Sequence, residues 1–304
     1  MVPLLAIPLV MLRFFRRKGT ARMPLLRALC MRLGVLPIRN HYYDPFIDPE
    51  QFTQPLSAER PLPGLDLNEA GQLALLRKLD FGKELAELPR TKLASDRYYL
   101  DNGTFGPGDA ELFYSLLRHW KPRRLVEVGC GLSTLLAEEA LRRNRAEDAP
   151  CHHLCIEPYE KPFFVSDDLE LLRNRSQEAP LELFERLDAG DVLFLDTTHV
   201  LRPQGDVLHA FQRILPVLKP GVFVHVHDIF TPFDYPDVWV REDLRMWDEQ
   251  YLLEAFLAFN PRFEVVAAVH YLKQRHPEAL LACCPTLREL DGTPSSFWMR
   301  SRAE

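Results

Sequence analysis

Leu125-Val126-Glu127-Val128-Gly129-Cys130-Gly131-Leu132-Ser133-Thr134-Leu135-Leu136 reads as a strand, a glycine turn and the start of a helix. Leu125, Val126 and Val128 form a short apolar, β-branched run, Gly129 and Gly131 come at once after it, and Ser133 opens a segment of helix formers from Leu135 to Arg143. Two glycines let the backbone approach a ligand with no Cβ in the way, and the helix behind them presents unpaired N–H groups. Glu127 sits in the strand itself, where a buried carboxylate is costly unless something accepts it. A lone Gly-x-Gly is weak evidence, so its meaning depends on the downstream chain.

From this turn to about Tyr271 the chain alternates strand and helix, which predicts a mostly parallel sheet covered on both faces. The second strand, from Cys151 to Ile156, ends in Glu157, where a carboxylate can accept both hydroxyl protons of a nucleotide ribose. Cys151, His153 and Cys155 suggest zinc, but along a strand they span roughly 13 Å, at ~3.3 Å per residue, too far for one ion. A third strand, about Leu169 to Leu172, leads to Ser176-Gln177 and a helix from about Pro180 to Leu187. The fourth, Asp191 to Leu195, runs into Asp196-Thr197-Thr198-His199, and the fifth, from Val222, ends in His227-Asp228. Parallel neighbours bring Asp196, His227 and Asp228 to one rim, the carboxyl edge where open α/β sheets hold ligands. Two carboxylates and an imidazole there suit Mg²⁺ or another divalent cation, and His199 on the adjoining loop is placed to act as a base. The aromatic, proline-rich run from Ile229 to Trp239 is expected to wall an acceptor pocket. Trp247 to Phe259 reads as a helix with Leu252, Leu253, Phe256 and Phe259 inward.

Upstream, Asp66 or Asn68 is expected to cap a helix reaching Leu79, and Asp109 to cap one through Trp120. Residues 40–63 are crowded with proline and aromatics and read as irregular. The 304 residues are 47% hydrophobic and 26% charged, with a mean hydropathy of −0.17, as for one large folded core with additions. A net charge of −6 argues against a nucleic-acid binder, and six irregularly spaced cysteines against a disulfide framework, so a reducing cytoplasm is the expected location. No acid precedes Asp44, whereas Arg13, Arg16, Arg17, Lys18, Arg22, Arg27, Arg32 and Arg39 all do. The apolar start is shorter than the ~20 residues of a spanning helix, and its charges come after rather than before it, unlike a secretory signal. A basic arm in weak contact with a membrane surface is one expectation; a helix pair packed on the core is the other.

Taken together, Val-Glu-Val-Gly-Cys-Gly-Leu-Ser, Glu157, Ser176-Gln177, the Asp196 strand end and Leu218-Lys219-Pro220-Gly221 before His227-Asp228 resemble a class I S-adenosylmethionine-dependent methyltransferase. The chain is most similar to bacterial small-molecule enzymes, with strand ends like those of the metal-dependent catechol O-methyltransferase group. The resemblance covers roughly Asp109 to Arg300, with Ser296 to Met299 as the last strand. It implies a Rossmann-like α/β fold with a mostly parallel seven-stranded sheet over residues 109–304, and residues 1–108 as a helical, irregular extension. It places Glu127 and the Gly129–Gly131 turn by the amino-acid end of S-adenosyl-L-methionine, with Ser133 among the cofactor-binding residues, Glu157 on the ribose, and Ser176 and Gln177 near adenine. Asp196, His227 and Asp228 match the metal positions, and His199 matches the base. That group usually has Asp-Asn where this chain has His-Asp. The implied activity is O-methylation of a small hydroxylated metabolite or sugar-containing compound; a homo-oligomer is a further expectation.

Two rivals stand beside it. A nicotinamide-dependent oxidoreductase shares the glycine turn, but its fingerprint wants a small residue where Thr134 stands, and hydride transfer leaves Asp196 and His227-Asp228 without a task. A methyltransferase-like fold kept as a binding module is the other.

Overall fold

A computed structural model of the chain describes residues 2–46, 48–94, 97–159, 169–290 and 292–303. The chain forms two compact units, one of Met1–Leu56 with Pro236–Met246, the other of Ser57–Tyr235 with Trp247–Glu304. In the first unit, helices α1 (Val2–Lys18) and α2 (Pro24–Leu33) carry six of the eight basic residues that precede Asp44. Pro24 opens α2, where its missing N–H costs nothing, and Gly34 closes it at φ 68°, its N–H donating to Cys30 O. Asp44 accepts Arg16 and Arg39, each at 2.8 Å. No described helix is long and apolar enough to cross a membrane.

In the second unit, helices α3 (Glu69–Leu76), α4 (Gly82–Leu85) and α5 (Asp109–Trp120) lead into β1 (Arg124–Val128), α6 (Leu132–Ala146), β2 (His152–Ile156) and β3 (Leu169–Leu172). Then come α7 (Glu182–Glu185), β4 (Val192–Leu195), α8 (Asp206–His209), β5 (Phe223–Val226), α9 (Glu249–Leu257), β6 (Phe263–Ala268) and β7 (Phe297–Ser301). The seven strands lie in the order β3-β2-β1-β4-β5-β7-β6, and β7 alone runs antiparallel to its neighbours. The central strands are mostly apolar on both faces, as strands covered twice must be, with Glu127, His153 and His225 as the buried exceptions. Leu125, Val192, Phe194 and Trp298 face α5 and α6, while Val126, Leu193, Leu195, Val224 and Met299 face the opposite core with Ile214 and Leu253.

The expected division between residues 108 and 109 falls inside this second unit. Leu76, Leu85, Leu88, Tyr98 and Leu100 are part of the same core as Leu112 and Leu116 of α5, and Gln72 of α3 accepts the Ala268 N–H at the end of β6. Two expected caps differ as well. Gly108, at φ 89°, is the residue that precedes α5, which frees the buried Asp109 carboxylate to accept the backbone N–H groups of Ser295 and Ser296. Helix α3 stops at Leu76 rather than Leu79; of its two expected caps, Asn68 takes the position before the helix without a side-chain cap bond, and Asp66 accepts the Asn68 N–H. Phe259, expected inward, is exposed, because α9 ends at Leu257 and the backbone turns left-handed at Phe259.

Candidate active site

The turn after β1 is tight because the end of β4 lies against it. Gly129 donates to Ile156 O at 3.0 Å, and Asp196 donates to Val128 O at 2.9 Å. Gly129 has φ 83°, and a Cβ there would lie 2.2 Å from Asp196 O, so only glycine fits. Gly131 differs: its backbone is extended, its N–H donates to Thr134 Oγ1 at 3.1 Å, and a Cβ there would meet nothing within 4 Å.

Between these strand ends lies a cleft of about 410 Å³, at the point where the chain leaves β1 to one side for β2 and to the other for β4. Gly129, Glu157, Ser176, Gln177 and Asp196 all line it. Glu157 is fixed there by the Cys130 N–H on one oxygen at 3.3 Å and the Tyr159 N–H on the other at 2.9 Å. Arg175, Arg202 and Tyr159, not singled out from the sequence, line it too. Gly131 and Ser133 are not among the lining residues; Ser133 is buried in the first turn of α6.

Glu127 also does not line the cleft. The β1–β2 register sets Glu127 beside Cys155 and Leu125 beside His153, so Glu127, His153 and Cys155 share the sheet face covered by α6. His153 donates Nε2–H to Glu127 at 2.7 Å and Nδ1–H to Glu138 at 2.6 Å, and Cys155 Sγ lies 3.3 Å from Glu127. Among the described residues, Glu127, His153 and Cys155 are the one trio of metal-type donors with ligand atoms within 4.8 Å of one another. Both ring nitrogens of His153 nevertheless serve carboxylates. Burial pulls its pKa down, but Glu127 and Glu138 outweigh burial and raise it to about 9, so at neutral pH the ring is an imidazolium with no lone pair for a metal. This arrangement has a pH signature. With the folded pKa above the unfolded 6.5, His153 contributes its full stabilisation, about 3 kcal/mol, below pH 6.5 and loses it as pH rises through about 9. Urea unfolding at pH 6 and pH 10 should show this loss in the wild type and not in His153→Gln; equal pH dependence in the two would refute it.

On the rim beside the cleft, His199 is the hub. Its Nδ1 faces Glu249 Oε2 at 2.9 Å, and its Nε2 lies 3.3 Å from Asp196 Oδ1 and 3.5 Å from Asp228 Oδ2. Thr197 Oγ1 donates to the same Glu249 oxygen at 2.7 Å, and the His199 carbonyl accepts the N–H groups of Asp248 and Glu249 at the start of α9. His199 and Asp228 are both left-handed, at φ 59° and 57°, a strain of about 1–3 kcal/mol each that concentrates at functional sites. Burial lowers the His199 pKa, but Asp196 and Glu249 outweigh it and hold it at about 10. His227 is buried with Nδ1 unpartnered, its Nε2 3.6 Å from Asp228 Oδ1, and Asp228 Oδ1 accepts Ser295 Oγ at 2.9 Å. Asp196, His227 and Asp228 are not gathered as tightly as metal ligands, because the His199 imidazolium stands between the two carboxylates. Burial lowers the pKa of neighbouring His225 well below its ordinary value, and this ring pairs with Ser296 Oγ at 2.9 Å. In the segment after β5, Phe230, Phe233 and Tyr235 are buried, and Gln250 accepts the Phe230 N–H and donates to Phe233 O. Within the second unit the segment is a packed support of the rim.

Strand order 3-2-1-4-5-7-6 with an antiparallel seventh strand and a ligand cleft beyond β1 and β4 defines a Rossmann-like methyltransferase fold. Residues 126–229 match the family model Methyltransf_24, described as a methyltransferase domain. An uncharacterized protein of Archaeoglobus fulgidus is 30% identical over 135 residues, 41% of this chain and 59% of that protein, so the match spans about three fifths of the relative's length. Among solved structures, the O-methyltransferase TomG from Streptomyces achromogenes, in complex with SAM, is 16% identical, with 79% of this chain and 92% of that one covered, at a TM-score of 0.42. The O-methyltransferase from Bacillus cereus, in complex with SAH, is 13% identical, covering 75% and 91%, at 0.40. Likenesses this low carry no argument about what the chain acts on.

Proposed function

We propose that the protein transfers the methyl group of S-adenosyl-L-methionine to a hydroxyl of a small hydroxylated metabolite or sugar-containing compound. The observation that carries this reading is the adjacency of the cleft to the His199 cluster, since Asp196 belongs to both. Glu157, anchored by the turn, is placed to accept ribose hydroxyls, and Ser176 and Gln177 to edge the base. The cofactor supplies an electrophilic methyl group on a sulfonium. The chain's task is then to align an acceptor oxygen with that methyl and to remove its proton, alignment alone being able to supply several kcal/mol. His199 is held in one orientation by Glu249 and presents Nε2 to the rim; a cation held by Asp196 and Asp228 would lower its pKa, so that the ring loses its proton to solvent and its free Nε2 takes the acceptor's.

The rim also fits a divalent cation by donor type, and the unpartnered Nδ1 of buried His227 marks a donor without a task. Asp196, His227 and Asp228 would hold the ion, which would lower the pKa of the acceptor hydroxyl. We further assign the acceptor side of the reaction to this rim and the membrane contact of the basic arm to the first unit.

Calorimetric titration tests the reading: S-adenosyl-L-methionine should bind the wild type and NADH should not. Asp196→Asn should keep cofactor affinity within about threefold while losing turnover. Exhaustive chelation should abolish activity, and re-addition of Mg²⁺, Mn²⁺, Fe²⁺ or Zn²⁺ in turn should restore it. Full activity in metal-free enzyme removes the cation and leaves Asp196 and His199 as a metal-free pair, whereas binding of NADH alone would overturn the methyltransferase assignment.

A further inference from the structure

Helices α1 and α2 of the first unit turn apolar stripes outward. Phe15 and Cys30 are buried, but Leu25, Leu29 and Leu33 recur at four-residue spacing on α2 with exposures of 87%, 51% and 66%. On α1, Ile7, Val10, Met11 and Phe14 do the same at helical spacing and are also exposed. Residues on such stripes normally face a core, so two of them in water mark a surface made to be covered.

What covers them is indicated by charge. Eight basic residues and no acid precede Asp44. The chain as a whole is −6, so setting aside the arm's +8 leaves −14 on the remainder. A negative body is repelled by an anionic bilayer while the arm is drawn to it, and the same polarity makes two copies of the arm repel each other. Arg13 and Arg17 lie beside the α1 stripe and Arg32 beside the α2 stripe, with Arg27 on the opposite side of α2; of the arm's cations, Arg16 and Arg39 are the ones paired with Asp44. Long basic side chains beside an apolar stripe let the stripe enter the acyl boundary while the charges stay at the headgroups. No described helix can span the bilayer, which leaves a position in the plane of the interface.

We propose that α1 and α2 form an interfacial anchor that inserts these two stripes into an anionic lipid surface. The inference is independent of the methyltransferase reading, because its test measures binding and not turnover. Full-length protein is floated with vesicles of phosphatidylcholine and phosphatidylglycerol (7:3) and with pure phosphatidylcholine. Binding should be strong to the first at low salt, weak to the second, and reduced by 0.5 M salt. Replacing Arg13, Arg17, Arg27 and Arg32 with Gln should weaken it by roughly fivefold per charge, on the scale of one basic residue at an anionic surface. Leu25→Ser, Leu29→Ser and Leu33→Ser combined should weaken it at least about tenfold with every charge retained, which distinguishes insertion from mere electrostatic attraction. These side chains are exposed, so the fold is not at stake. Failure of the wild type to float with anionic vesicles at low salt overturns the proposal. Indifference to the leucine variant overturns insertion, and so does a wild type whose self-association, rather than vesicle binding, responds to that variant.

Discussion

His199→Ala should lower turnover by about 10²–10⁴-fold at neutral pH, the usual loss when a general base is removed, with cofactor affinity nearly unchanged. The expectation rests on the way the ring is held. Glu249, completely buried, and Thr197 fix the Nδ1 side, the α9 N-terminus grips the backbone, and Trp247 packs on the ring face at 4.3 Å between centroids. Only Nε2 is left to face the rim, between Asp196 and Asp228. Alanine removes the proton acceptor without touching the cleft, so part of the activity should return at high pH, where the acceptor ionises unaided. Turnover of His199→Ala within twofold of wild type across the pH range would sink the assignment.

The second large effect is expected at the glycine turn. Gly131→Val should abolish detectable cofactor binding, a loss of at least about a hundredfold, while leaving the melting temperature within about 2 °C of wild type. A side chain at Gly131 meets no protein atom within 4 Å and its backbone is extended, so the fold has no reason to object; although Gly131 itself does not line the cleft, it is two residues from Gly129, which does, and the branched side chain is expected to obstruct the cofactor's amino-acid end there. Gly129→Ala is the control with the opposite pattern, since its Cβ collides with Asp196 O in a left-handed backbone and should destabilise the fold by about 2–4 kcal/mol. Calorimetric binding alongside thermal unfolding separates the two. Undiminished affinity in Gly131→Val would move the cofactor away from this turn.

The strand-turn-helix at residues 125–136 and the gathering of strand ends at the rim were legible in the sequence because each rests on local periodicity plus the rule that parallel strands share an edge. Glu157, Ser176 and Gln177 reach the cleft for the same reason. What escaped depends on register and on distant chain. Nothing in the sequence says that Glu127 stands beside Cys155 rather than facing the cleft; that comes from the β1–β2 pairing and from the phase of α6, which brings in Glu138. Glu249 lies 50 residues from His199, though it had a signal: it shares a helical stripe with Leu253 and Leu257, and a carboxylate on a buried stripe requires a partner. Asp109 looked like a cap because Asp before a helical run usually is one, yet its partners, the Ser295 and Ser296 amides, come from the far end of the chain. Leu76, Leu85 and Leu88 show the same limit, since an apolar helix face does not say which core it joins.

Strand β7 fills the gap between β5 and β6, both of which precede it in sequence. As the chain is synthesised, β5 therefore waits with one edge unpaired, and β6 has no place in the sheet, until residues 297–301 have left the ribosome. The residues just ahead of that strand, Ser295 and Ser296, are also the ones that hold Asp228, Asp109 and His225. Closure of the sheet and assembly of the rim are one event, and a nascent chain halted before Ser295 would display a sticky β5 edge and an unformed site together.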